Sequence, residues 1–216
     1  MKEHKFFSIA DFDRIKEAVK EAEKKISGEI VPILVKTSDD YPVVYYRSFG
    51  LVGVFIFLIS IFIEQIFPKG ITISSSLLFL CIVVGGGLGA LLSHFSIPVK
   101  RVFISRQEKE EKVLQKAASF FLREEVFNTK HRNGIMIFVS FFEGGVKVMP
   151  DKGIFKVAEQ EKWIEIEEML KEQLRKKRTI MGMEKAIQDC TTLLLEKGFY
   201  RKDDDENEIK DEMRYH

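Results

Sequence analysis

The chain has 216 residues, with 34 Lys and Arg against 33 Asp and Glu, so its net charge is +1 and nothing in its balance argues for a nucleic-acid partner. Its 45% hydrophobic content is inflated by two apolar runs between Ser48 and Pro98, and the remainder suffices for one soluble domain with its own core. The two cysteines, Cys81 in an apolar run and Cys190 in a polar segment, are not expected to meet, which excludes a disulfide framework; there is no zinc spacing and no internal repeat.

Ser8 and Asp11 form a capping-box-like start. Phe12, Ile15, Val19, Ala22 and Ile26 then recur at helical steps, giving one apolar stripe on a charged helix. Ser27-Gly28 is expected to end it, with Gly28 as a left-handed cap. Glu29 to Val35 reads as a strand, which Pro32 should confine to an edge or interrupt with a bulge. Thr37 to Asp40 is a polar loop, and Tyr41-Pro42 leads into the apolar region.

Two runs, about 48–67 and 75–96, each supply the roughly 20 apolar residues that a helix needs to cross a bilayer. In the first, the apolar side chains from Phe49 to Ile63 each favour insertion by about 0.3–0.6 kcal/mol, together roughly 4–7, against about 3 for Glu64 if it were central. Apolarity on every face argues against a buried soluble helix, and the preceding polar helix argues against a signal peptide. The connection, with Pro68 and Gly70, is so short that the spans form an antiparallel hairpin and both polar arms lie on one side. Arg47 precedes the hairpin and Lys100, Arg101, Arg106, Lys109 and Lys112 follow it, whereas its tip carries Lys69 alone. The positive-inside rule therefore places both arms and both termini in the cytoplasm. Within the second span, Gly85, Gly86, Gly89 and Ala90 make overlapping small-xxx-small pairs for close helix packing, against the first span or a second copy. A phosphate-binding loop would need a soluble strand before those glycines.

After the hairpin, Ser105 opens a helix with Val113, Leu114, Ala117, Phe120, Phe121 and Leu122 on its apolar side. Gly134 to Ser140 is a continuous apolar strand, and Val146 to Met149 its hairpin partner across Glu143-Gly144-Gly145. Asp151-Lys152-Gly153 is a turn. Trp163, Ile166, Met169, Leu170 and Leu174 mark a third helix, closed by the basic run from Arg175 to Arg178, and Met183 to Leu195 a fourth. The order gives an α/β sandwich, a small mixed sheet with helices on its faces, interrupted by the hairpin. The domain would comprise 1–47 and 99–202, around a hairpin at 48–98, with 203–216 as a solvated acidic tail.

Glu23, Ser27-Gly28-Glu29-Ile30 and the strand that follows resemble the opening of the TPM domain, a family named after thylakoid-lumen, photosystem-repair and nematode receptor-associated members. Phe120, Thr129, Asn133-Gly134-Ile135, Ser140, Glu143, Val146, Asp151 to Ile154 and Trp163 are similar, in order and spacing, to its second half. Asn207-Glu208-Ile209 resembles a segment near the end of membrane-bound bacterial members, which points to a bacterial inner membrane. The resemblance implies a three-layer α/β fold. Members are described as acid phosphatases, divalent-metal binders or assembly factors, many on a single anchor rather than a central hairpin.

Ligands of α/β sheets gather beyond the carboxyl ends of strands, where Asp39 and Asp40 would approach Glu143. Three carboxylates there would suit Ca²⁺ or Mg²⁺, and such an ion could polarise a phosphoryl oxygen. The competing reading makes Asp39 and Asp40 turn formers and Glu143 a hairpin cap. Glu29, at the opposite end, is expected to make a structural contact. His131 has no acid or nucleophile partner by spacing, and neither cysteine has a histidine neighbour. The expectation is a non-catalytic, membrane-anchored binding or assembly factor for another membrane protein; the alternative is a metal-dependent phosphatase using Asp39, Asp40 and Glu143.

Overall fold

All seven residues of β1 (Glu29–Val35) and all seven of β2 (Gly134–Ser140) are buried, as strands covered on both faces must be. They pair in parallel, from Glu29 opposite Gly134 to Val35 opposite Ser140. In the computed structural model, which describes residues 7–67, 74–156, 158–201 and 208–216, β3 (Gly145–Pro150) lies antiparallel on β2. The two-residue β4 (Arg214–Tyr215) lies parallel on the other side of β1, giving the order β3-β2-β1-β4. The described helices are α1 (Ile9–Glu23), α2 (Val43–Ile66), α3 (Ser75–Phe95), α4 (Ile97–Val102), α5 (Arg106–Arg123), α6 (Lys152–Phe155), α7 (Gln160–Arg175) and α8 (Thr179–Glu196). Lys69, the acidic run from Asp203 to Glu206 and Asn207 lie outside the described residues.

Two compact units result, one formed by the chain up to Asp39 together with Lys109–His216, the other by Asp40–Glu108. In the first, alternate residues of each strand face opposite helical layers. Ile30 and Leu34 of β1 and Ile135, Ile137 and Val139 of β2 pack with α1, α7 and α8 through Ile15, Val19, Trp163, Leu170, Met183 and Leu194. Val31, Ile33, Val35, Met136 and Phe138 point the other way, onto Val113, Ala117 and Phe120 of α5. The unit is therefore mixed α/β, with an open mixed sheet between helices.

Local chemistry sets the boundaries. Ser8 Oγ accepts from the Asp11 amide at 3.2 Å while the Asp11 carboxylate accepts from the Ser8 amide at 2.8 Å, closing the capping box. Ser105 and Glu108 repeat the motif at α5, at 3.1 and 2.8 Å. At Gly28 the expectation of a left-handed cap fails: α1 ends at Lys24 in right-handed geometry, and among the described residues the positive-φ glycines are Gly144 and Gly198. Gly28 is small for another reason. A Cβ there would stand 3.2 Å from both the Asn133 carbonyl oxygen and Leu194 Cδ1, so the residue lets the start of β1 meet the start of β2.

Pro32 carries neither a bulge nor an outermost strand, since it pairs in register with Ile137. Leu34 and Lys36, on its side of the strand, bond to His216, but β4 begins only opposite Ile33. The missing donor thus falls where the short neighbour has not yet begun. The expectation of a solvated tail is corrected by residues 208–216, which return to the sheet with Asp211 and Met213 buried. A two-residue strand is too short to show any periodicity. The expected turn at Asp151 begins α6, with the Asp151 carboxylate accepting from the Lys152 amide at 2.7 Å.

In the second unit α2 and α3 run antiparallel. Phe49 meets Gly86, Val52 meets Gly89 and Ile56 meets Gly85, so each glycine is small where an α2 side chain presses in. The helix α2 begins before the apolar run, and Arg47 there pairs with both carboxylate oxygens of Glu108 at 2.7 and 2.9 Å. That pairing holds the Glu108 carboxyl down at about 2.

The outer edge of β3 is closed by a side chain. Glu167 of α7, itself buried, accepts from the Val148 amide and from Lys147 Nζ, both at 3.0 Å. Glu167→Ala leaves a strand amide without its acceptor, and chemical denaturation of the full chain should show a loss of about 1–3 kcal/mol. A loss within error of zero would mean water replaces the carboxylate at no cost.

Candidate functional site

Polar side chains converge where β1 and β2 end together. Leaving β1, the chain supplies Thr37, Ser38 and Asp39; leaving β2, it supplies Ser140 and, one turn on, Glu143. Glu143 Oε1 accepts from the Ser38 amide at 2.9 Å and lies 3.2 Å from Thr37 Oγ1. The Ser140 hydroxyl donates to Glu143 Oε2 and accepts from Ser38 Oγ at 2.9 Å. Lys112 of α5 pairs with the Asp39 carboxylate.

Asp39 and Glu143 are thus engaged by neighbours, and Asp40 is exposed and belongs to the second unit. Among the described residues no three His, Cys, Asp or Glu are grouped so as to hold a metal ion. The sequence placed Asp39 and Glu143 at the strand ends but could not show Lys112, a helix away, or the hydroxyls that take up Glu143. Ser140 is 0% exposed and donates to a carboxylate, so this hydroxyl is held as a structural tie rather than presented as a nucleophile.

Several residues that carry the family resemblance build one local structure. Thr129 Oγ1 accepts from the Asn133 amide at 3.0 Å, and Asn133 Nδ2 donates to the Ser27 carbonyl at 3.0 Å. Arg132, at φ 55°, directs its guanidinium onto both oxygens of buried Asp151, at 2.6 and 3.0 Å. At Gly153 a Cβ would stand 2.5 Å from the Arg132 carbonyl oxygen. These positions fasten the entry to β2 against the exit from β3. Trp163 sits in the core, while His131 is exposed. Burial pushes the Cys190 thiol up, out of the reactive range.

A second group of carboxyls lies at the opposite end of β1, where Glu29 makes the structural contact expected of it. Glu29 is buried and accepts from the amides of Glu208 and Ile209, each at 3.2 Å. Glu23, closing α1, accepts from the Ile30 amide at 3.0 Å and shares a hydrogen bond with the buried Asp211 carboxyl. Burial pushes Glu23 up to about 8, with Glu29 and Asp211 adding to the rise. Burial likewise pushes Glu29 up to about 7, against the pull of its two amide donors. Glu23 and Glu29 were in view from the resemblance; Asp211, read as tail, was the missing third.

No family model matches this chain, and no curated protein does. Among solved structures the fold is similar to the NMR structure of BA42 protein from the psychrophilic bacterium Bizionia argentinensis, with a TM-score of 0.60 and 19% identity over 100% of this chain and 99% of that one. At that identity the likeness is one of fold.

Glu143→Ala strands the Ser38 amide and the Ser140 hydroxyl, and the unfolding free energy should fall by about 1–3 kcal/mol. Thermal unfolding with Ca²⁺ or Mg²⁺ should show no rise in midpoint that depends on Glu143. A rise in the native chain that vanishes in Glu143→Ala would restore the ion site.

Proposed function

We propose that this chain is an integral membrane protein in which the α2–α3 hairpin crosses the bilayer and holds a TPM-type α/β domain beside it as a non-catalytic binding or assembly factor for another membrane protein. One observation carries the reading. Both helices, 24 and 21 residues long, are apolar and turn their large side chains outward, with Phe55, Phe62, Phe79 and Leu92 all more than 60% exposed. Water would penalise that surface at about 25 cal/mol per Å², whereas hydrocarbon does not.

The hairpin's geometry favours a single side for both arms. The ends of α2 and α3 that lead into the domain are joined by Tyr45 Oη and His94 Nδ1 at 3.2 Å, and Arg47 Nη1 of α2 donates to the carbonyl of Phe103, just after α4, at 2.8 Å. The bases flanking these ends support a cytoplasmic side, in a bacterial inner membrane. Since Gly85, Gly86 and Gly89 are occupied by α2 of the same chain, a partner within the bilayer would meet the outward faces instead. The phosphatase alternative gains no support from Asp39 and Glu143, whose oxygens are engaged by Lys112, Ser38 and Ser140.

Alkaline carbonate should leave the protein in the membrane pellet. In a Cys81→Ser, Cys190→Ser background, Glu17→Cys and Lys197→Cys should both react with an impermeant maleimide in inverted vesicles and neither in intact cells. Extraction by carbonate, or labelling of the two positions from opposite sides, would contradict the reading.

A further inference from the structure

At the end of the hairpin where Tyr45 meets His94, α3 does not run on. Its 21 residues rise about 32 Å, which matches the ~30 Å of a hydrocarbon layer. Ser96 then takes an extended conformation, and the chain changes direction into α4. Pro98, in the first turn of α4, lacks an amide that would find no helical acceptor there. The Lys100 amide donates to the Ser96 carbonyl at 2.9 Å, and the Phe103 amide to the Lys100 carbonyl at 3.3 Å.

A six-residue helix is too short to hold itself together in water, and none of the residues of α4 is buried. Phe95 and Val102 are 76% and 81% exposed, and Ile97 is exposed between them; together they prolong the outward apolar surface of Leu91 and Leu92 past the end of α3. Tyr46, in the first turn of α2, is exposed at the same end of the hairpin. Between Ile97 and Gln107 the chain carries Lys100, Arg101 and Arg106 and no acid, and Glu108 is matched by Arg47 at 2.7 Å. Lys100 stands over the Tyr41 ring, a contact that keeps its charge. Apolar side chains interleaved with cations fit the layer where acyl chains give way to phosphates. Continuity decides the occupant, because the lipid that meets Leu91 and Leu92 is what Ile97 and Val102 reach next.

We infer that α4 is an interfacial anchor: Phe95, Ile97 and Val102 enter the boundary between acyl chains and headgroups, and the cations of this segment draw the anionic phospholipids of that leaflet. The inference rests on the hairpin crossing a bilayer, as proposed above. It gives the hairpin a stop, since the apolar side chains resist withdrawal into water and the cations resist passage into hydrocarbon. Attraction of the lipid follows the net charge of the segment, whatever contacts each cation keeps within the chain, and salt weakens it.

Spin labels on single cysteines of the full chain test the depth, in a Cys81→Ser, Cys190→Ser background and in nanodiscs of phosphatidylcholine with phosphatidylglycerol. Collision with oxygen reports lipid, and collision with a soluble nickel chelate reports water. Phe57→Cys should meet mainly oxygen and Lys197→Cys mainly the chelate, while Val102→Cys should lie about 5–10 Å inside the headgroup boundary. Chelate collision at Val102→Cys equal to that at Lys197→Cys, with Phe57→Cys in lipid, would overturn the anchor and leave the hairpin standing. Phe57→Cys open to the chelate would overturn the hairpin itself. Shielding of Val102→Cys from both reagents would mean that a protein covers α4, against the inference.

The charge is tested by the chain's preference for spin-labelled phosphatidylglycerol over phosphatidylcholine. Lys100→Gln, Arg101→Gln and Arg106→Gln together should lower it by roughly fivefold or more, and added salt should lower it in the native chain. The charge-keeping set Lys100→Arg, Arg101→Lys, Arg106→Lys should retain it. A preference that survives neutralisation would overturn the role of the cations. Should the neutral variant fail to fold, the native chain decides, and a preference that ignores salt overturns that role.

Discussion

Everything in the α/β unit depends on β1 and β2 lying side by side, although the hairpin is inserted between them in the chain. A parallel pair always requires a crossover; here the crossover contains α2, α3, α4 and α5. The pairing buries both strands completely and sets Asn133 against Ser27 and Glu29. It also gives α1 and α8 a common face to cover. If the chain left on one side of a membrane and failed to return to it, neither layer would have a sheet to cover.

That architecture was legible wherever the pattern is long. The stripes of α1, α5 and α7, the capping box at Ser8, the helix start at Ser105 and the unbroken apolar strand from Gly134 all announce themselves through local side-chain chemistry. What stayed hidden depends on partners distant in sequence. β4 is too short to carry a period, and Asp211 looks like tail until it is seen against Glu23. Gly28 was assigned a conformational role because its close approach to Asn133 cannot be read from its neighbours. Pro32 was expected on an edge strand or at a bulge; it stands instead in an inner strand beside Ile137, and its missing donor goes unneeded because β4 begins only opposite Ile33.

The two ends of β1 illustrate opposite fates for carboxylates. At the carboxyl end, Glu143 and Asp39 meet hydroxyls, an amide and a lysine, so their charge is satisfied locally. At the amino end, Glu23 and Glu29 meet one another and Asp211, and burial pushes both glutamates towards neutrality. The first arrangement ties two loops together. The second gathers buried acids from α1, β1 and the C-terminal segment at one place.

The most direct measurement of the central claim is a proximity test across the insertion in the full-length chain as expressed in cells. Arg14 of α1 precedes the hairpin and Glu184 of α8 follows it, and their side chains bond at 2.7 and 2.9 Å. With cysteines at both positions in a background lacking the native ones, a short bis-maleimide should join the two peptides within one chain in membrane vesicles. Absence of that intramolecular link, when each cysteine alone is reactive, would mean the two arms do not form one domain.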